Sequence, residues 1–237
     1  MLNGLDLFSG IGGITIGLSE WVRPRYYCEF DRYAQGVLLS RMSSGDLPLA
    51  PIWDDVQTLK GEYLEFTIDI IYGGFPCQDI SVAGNGVGLD GKRSRLFYEI
   101  IRLVKETNAP WVFLENVPAI RTRGLKEVIR AFTDLGYDCR WTCVSAAEVG
   151  ACHLRKRWFL LAHARGQRME GLEQQKASWQ KQSQIYNTYF YDDWKVSLDK
   201  FPRMDDGLPV PVDRIKGLGN AVVPAQVEKA FIKLMGM

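Results

Sequence analysis

Residues 6–13 read DLFSGIGG, and they close a strand-like run, Leu2–Phe8. The spacing predicts a strand ending at Phe8, a glycine-rich turn, and a helix beginning near Gly13. Glycines let the backbone adopt positive φ and approach a ligand closely. The start of a helix favours a negative group such as a carboxylate. Glu29 stands twenty residues past Ser9, at the end of the next strand-like run. An acid at that place suits a ribose diol. The pattern differs from the GxGxxG fingerprint, because position 15 is Thr. Together these residues point to an adenosine-type cofactor. Asp55 is either a third contact to it or a helix cap.

Outward from this unit, two signals alternate through residue 165. Strand-like runs fall at Tyr26–Phe30, Ile68–Tyr72, Trp111–Glu115, Arg140–Val144 and Arg157–Ala162. Helix-period stretches lie near Ile14–Val22, Arg32–Met42, Ser94–Glu106 and Leu125–Leu135. Such alternation predicts βαβ units: an α/β fold with a mostly parallel sheet and helices on both faces. Ligands of such sheets bind beyond the carboxyl ends of the strands. The rhythm breaks at 166–212, which is Gln-rich, then aromatic, then Pro-rich. Its aromatic residues, among them Trp179, Tyr189 and Trp194, predict a small inserted lobe or a partner-binding surface. A helix is expected at Pro224–Met235.

Composition narrows the class. The chain has 237 residues, 46% hydrophobic and 24% charged, which suits a globular protein with its own core. Lys plus Arg number 29 and Asp plus Glu 28, so bulk positive charge cannot be the means of gripping nucleic acid; a local basic groove can. No apolar run approaches the ~20 residues of a membrane span, and the opening residues lack a signal-like pattern. A soluble, cytoplasmic protein without membrane association is expected. The five cysteines form no disulfide framework. Cys139, Cys143, Cys152 and His153 have the spacing of no usual zinc module, so no metal is expected.

Three further stretches carry chemistry. GGFPCQDIS (73–81) follows the apolar 68–72 run, so Cys77 falls just past a strand's end, on a turn stiffened by Pro76. A thiolate there is a nucleophile. The glycine-rich, basic stretch 81–95 suits a lid over an anionic substrate. In WVFLENV (111–117), Glu115 ends a buried run, and a desolvated carboxylate needs a partner or a task. Neighbouring strands lie about 4.8 Å apart, so Cys77 and Glu115 could face one small substrate if their strands are adjacent. In HLRKRWFLLA (153–162), Arg155 and Arg157 would share one face of a strand, suited to a carbonyl oxygen or phosphates.

Taken in order, these residues resemble the DNA (cytosine-5)-methyltransferases, with type II modification methylases as the near comparison. DLFSGIGG is similar to the family's cofactor motif, GGFPCQ to its nucleophile motif and ENV to its acid motif. Arg155 and Arg157 fall on the second and last arginines of its QRRxR pattern, while His153 and Leu154 replace the Gln and first Arg. GLGNAVVP (217–224) resembles the C-terminal motif that packs back beside the cofactor site. The resemblance implies a Rossmann-like S-adenosylmethionine-dependent fold. Residues 1–165 and 213–237 would form the catalytic part, and 166–212 a target-recognition region, short for the family.

It also implies roles. S-adenosylmethionine is the expected cofactor. Phe8 and Phe30 would pack on its adenine. Gly10, Gly12 and Glu29 would meet its amino acid and ribose parts. Ser9, Gly13, Asp55, Val56 and Asn220 would complete that site. Cys77 would add to cytosine C6, Glu115 would contact N3 and the exocyclic amine, and Arg155 would steady O2. Pro76, Gln78, Ser81, Asn116 and Arg157 would serve the substrate side, with Asn116 holding backbone. The expected substrate is double-stranded DNA with the base flipped out, acted on by a monomer. In a restriction–modification setting a restriction endonuclease would be its counterpart. An RNA (tRNA) cytosine-5 methyltransferase of the same fold, or a silent DNA-binding relative, are the alternatives.

Overall fold

The computed structural model of the protein describes residues 1–76, 96–166 and 222–236. The strands are β1 (Leu2–Leu7), β2 (Val22–Cys28), β3 (Ile52–Trp53), β4 (Ile70–Gly74), β5 (Trp111–Asn116), β6 (Tyr137–Val144) and β7 (Arg157–Ala164). The helices are α1 (Gly13–Gly17), α2 (Arg32–Ser44), α3 (Leu96–Thr107), α4 (Ile120–Arg123), α5 (Leu125–Asp134) and α6 (Pro224–Met235). Cys77, Gln78, Ser81 and Asn220 lie outside the described residues, as do the 81–95 stretch and residues 167–212 of the expected lobe.

The strands form one sheet in the order β3-β2-β1-β4-β5-β7-β6. β1 to β5 pair in parallel, and β7 runs antiparallel to both β5 and β6. The chain builds outward from β1 in one direction to β3, then returns to its other side with β4. That switch point opens a crevice at the carboxyl ends of β1 and β4.

Period-two alternation feeds two cores. On one face Leu5, Leu7, Ile71, Val112 and Leu114 meet Phe97 and Ile100 of α3 and Val128 and Phe132 of α5. On the other, Tyr72, Phe113, Phe159 and Leu161 meet Ile14 of α1 and Val227, Phe231 and Leu234 of α6. Strands buried on both faces read as continuous apolar runs, which is why β4, β5 and β7 were legible.

Four local expectations are corrected. The helix expected over 14–22 ends at Gly17, because Trp21 and Val22 are buried as the entry to β2. β2 therefore starts before Pro24, and the pairing with β1 skips Arg25: Gly4 aligns with Pro24, Leu5 with Tyr26. A proline cannot donate to a ladder, so an irregularity there is its natural place. β6 starts at Tyr137, earlier than expected, since its exposed Asp138, Arg140 and Trp141 mask the strand pattern. Arg155 lies outside β7, which begins at Arg157, so strand alternation does not set its direction. Cys139 and Cys143 pack against the core from β6 while Cys152 is exposed, and no metal-ligand cluster forms among the described residues.

Candidate active site

Two groups of residues meet at the carboxyl ends of β1, β4 and β5. The first is the DLFSGIGG turn. Phe8 has φ of 55°, left-handed backbone that a bulky residue rarely adopts, and Gly10 and Gly12 follow at 56° and 85°. The turn is pinned from several sides. Ser9 donates its backbone N–H to the Cys28 carbonyl at 3.1 Å, and its buried hydroxyl donates to the Asp6 carbonyl at 2.9 Å. Arg41 of α2 donates to the Ile11 carbonyl at 2.6 Å.

Glu29 reaches into the same turn. One carboxylate oxygen accepts the Gly10 N–H at 2.7 Å, the other the Asp31 N–H at 2.8 Å. Burial raises its pKa, and these two donors oppose the rise. Each oxygen keeps a second lone pair, so the carboxylate can accept hydroxyl donors as well. Beside it, Phe30 is 78% exposed. Val56 is buried, and Asp55 accepts the Gln57 N–H at 2.9 Å within a turn that no helix follows, so it is not the cap of a helix. Over the turn lies the start of α6: a Cβ on Gly13 would stand 2.9 Å from the Val222 carbonyl oxygen, so only glycine admits this approach.

Under the turn sits a polar chain that sequence reasoning missed. Thr15 donates to Asp6 at 2.6 Å, and its hydroxyl lies 2.9 Å from that of Tyr72. Burial pushes the Asp6 carboxyl up to about 8. An acid inside the apolar run of β1 was the available signal, the same one that singled out Glu115.

The second group surrounds Glu115. β4 and β5 are neighbours, and Gly74 aligns with Glu115. Gly74 leaves room for the acid: a Cβ would sit 2.7 Å from the Glu115 carboxylate and displace it. Arg157, first in β7, donates through Nε to that carboxylate at 2.8 Å, with the two side chains 15% and 13% exposed. Burial raises Glu115 to about 7, against the pull of Arg157 and then Arg155. Burial also lowers Arg155, with Arg157 adding to the effect. Asn116 donates from its amide to the Phe75 carbonyl at 3.2 Å and accepts the Val117 N–H at 2.8 Å, tying the segment that leads into Pro76 to the end of β5. His153 and Leu154 are exposed.

Removing one member of a buried pair strands the other charge, at a cost of about 3–5 kcal/mol. Arg157→Ala is expected to lower the unfolding free energy toward the lower end of that range, because Arg155 still acts on the carboxylate. Urea titration at pH 8 measures it. The deficit should shrink at pH 5, where Glu115 carries a proton.

The profile of the C-5 cytosine-specific DNA methylases matches residues 2–208, from β1 to beyond β7. The chain belongs to this family. It is 31% identical, over 97% of its length, to the type II methyltransferase M.CviJI of a Paramecium bursaria Chlorella virus, covering 58% of that protein. It is 34% identical over 67% of its length to M2.BsuMI of Bacillus subtilis, covering 41% of it. The chain thus spans about half the length of these relatives. A prophage-encoded E. coli protein assigned as a DNA modification methyltransferase shares the fold with a TM-score of 0.57 and 27% identity, over 69% of this chain and 47% of that one.

Proposed function

We propose that this methylase transfers a methyl group from S-adenosylmethionine to C5 of a cytosine flipped out of double-stranded DNA, through a covalent bond from Cys77 to C6. The observation that carries this reading is the buried Glu115–Arg157 pair, aligned with the end of the strand that leads into Pro76 and Cys77. The residues around the glycine turn fit the adenosyl donor: Glu29 offers acceptor capacity for a diol, Phe30 offers an exposed ring, and the left-handed turn brings backbone close. When bound, that donor supplies a methyl carbon attached to a positively charged sulfur.

Cytosine C5 is too weak a nucleophile to react unaided, so the reaction is made covalent. The Cys77 thiolate forms a bond to C6, and the electron pair displaced from the C5–C6 double bond is drawn toward N3. Glu115, near neutrality part protonated, donates a proton to N3 and so quenches the developing charge. Arg157 holds the carboxyl in place, and Arg155 supports the O2 oxygen. C5, now enamine-like, takes the methyl group. The C5 proton passes to water, the thiolate is eliminated from C6, and N3 returns its proton to Glu115, which restores the aromatic ring and the enzyme. The target atom is inaccessible in a stacked duplex, so the base must leave the helix.

Duplex DNA with 5-fluorocytosine at the methylated position tests the scheme. Fluorine cannot depart as a proton does, so a denaturation-resistant protein–DNA adduct should accumulate when the methyl donor is present. Tritium from labelled donor should enter duplex DNA. Incorporation into tRNA alone, or into neither, overturns the reading.

A further inference from the structure

Gln226 stands out in α6 because it is a polar side chain with no exposure at all. Its amide nitrogen donates twice, to the Val144 carbonyl at 2.9 Å and to the Arg155 carbonyl at 2.8 Å. One side chain thus joins the end of β6 to the segment just before β7. Three more contacts bind this loop. Lys229, one helical turn on, donates to the Glu148 carbonyl at 2.8 Å. The Ala146 N–H reaches the Leu154 and Arg155 carbonyls, each at 3.3 Å. Ser145 and Glu148 cap each other within the loop.

We infer that Gln226 is a positioning residue of the reaction, acting through the backbone of Arg155. Arg155 lies outside the β-ladder, which begins at Arg157, so the sheet does not fix its carbonyl; Gln226 holds it at 2.8 Å, with the Ala146 N–H as a longer second donor at 3.3 Å. Its two hydrogen bonds are spent on backbone carbonyls, one of them belonging to the residue assigned to O2. A buried glutamine satisfied on its donor side, with its oxygen lacking a partner among the described residues, is costly for a helix that could have used Leu or Met there. Fixing Arg155 gives that cost a purpose. The inference rests on the proposed chemistry, since it needs Arg155 to matter for turnover.

A double-mutant cycle tests it, because residues that act through one another are non-additive. Gln226→Met keeps length and apolarity and removes the donors. In the native background, kcat for methyl transfer to duplex DNA is expected to fall about tenfold or more, with KM for the methyl donor unchanged. In an Arg155→Ala background, adding Gln226→Met should change kcat less than twofold. Equal losses in both backgrounds would assign Gln226 a merely structural part and overturn the inference. Should Gln226→Met fail to fold, Gln226→Glu serves instead. Its carboxyl can donate to a carbonyl only while protonated, so its kcat should show an acid-favoured limb that vanishes when Arg155 is Ala; a limb that persists refutes the coupling. Wild-type protein that methylates no cytosine fails the proposed function itself, a result separate from either cycle.

Discussion

Cys77→Ala is expected to remove methyl transfer to duplex DNA to the level of background while leaving the fold and methyl-donor binding intact. The reason is chemical. On the proposed route C5 never becomes enamine-like without a thiolate at C6, and none of the described residues at the ends of β4 and β5 is a comparable nucleophile. Structural cost should be small, since Cys77→Ala removes one sulfur and leaves the Asn116–Phe75 tether in place. Filter assays with tritiated donor read activity, and calorimetry reads donor affinity. Full turnover in the variant would refute the covalent route.

Glu115→Gln is the second large effect. It keeps shape and an amide donor but removes the proton that can be delivered to N3. Positioned acid catalysis is worth roughly 10²–10⁴-fold, and kcat is expected to fall within that range. The variant also leaves Arg157 facing a neutral group, so a stability change should accompany it. The pH dependence carries a sign. Glu115 rises from 4.5 to about 7 on folding, so its proton is held in the native state across that window. Stability from this group is full below 4.5 and is lost as pH rises through about 7. Its capacity to donate to N3 declines over the same upper limb. Wild-type kcat should therefore fall as pH passes about 7, and Glu115→Gln should flatten that limb. A limb that survives the substitution would assign it to another group.

Much of this was legible because strong physical constraints leave strong patterns. Buried parallel strands must be apolar throughout, so β4 and β5 announce themselves, and a charge at the end of one, Glu115, has to be explained. The adjacency of those strands was conditional in the sequence and is a register in the structure. The glycine turn and Glu29 were legible as a pair because a short βα turn and the next strand's end are neighbours by topology. Long-range contacts were not. Arg41 reaching Ile11, Tyr72 joining Thr15, and Gln226 crossing to Arg155 each link segments whose separation no local periodicity encodes. The alternation rule does not reach Arg155, because it holds only inside a ladder and the ladder starts two residues later; Arg155 and Arg157 nevertheless both act on Glu115.

The approach of Val222 to Gly13 has a consequence in time. The turn leaves a ribosome roughly 200 residues ahead of its cover, which at ~5–20 residues per second is a delay of ~10–40 s. During that interval the growing polypeptide carries a half-built pocket with no roof. The turn thus waits for α6 to be made before it is covered, and a ribosome stalled before that helix would hold a chain whose turn is still open.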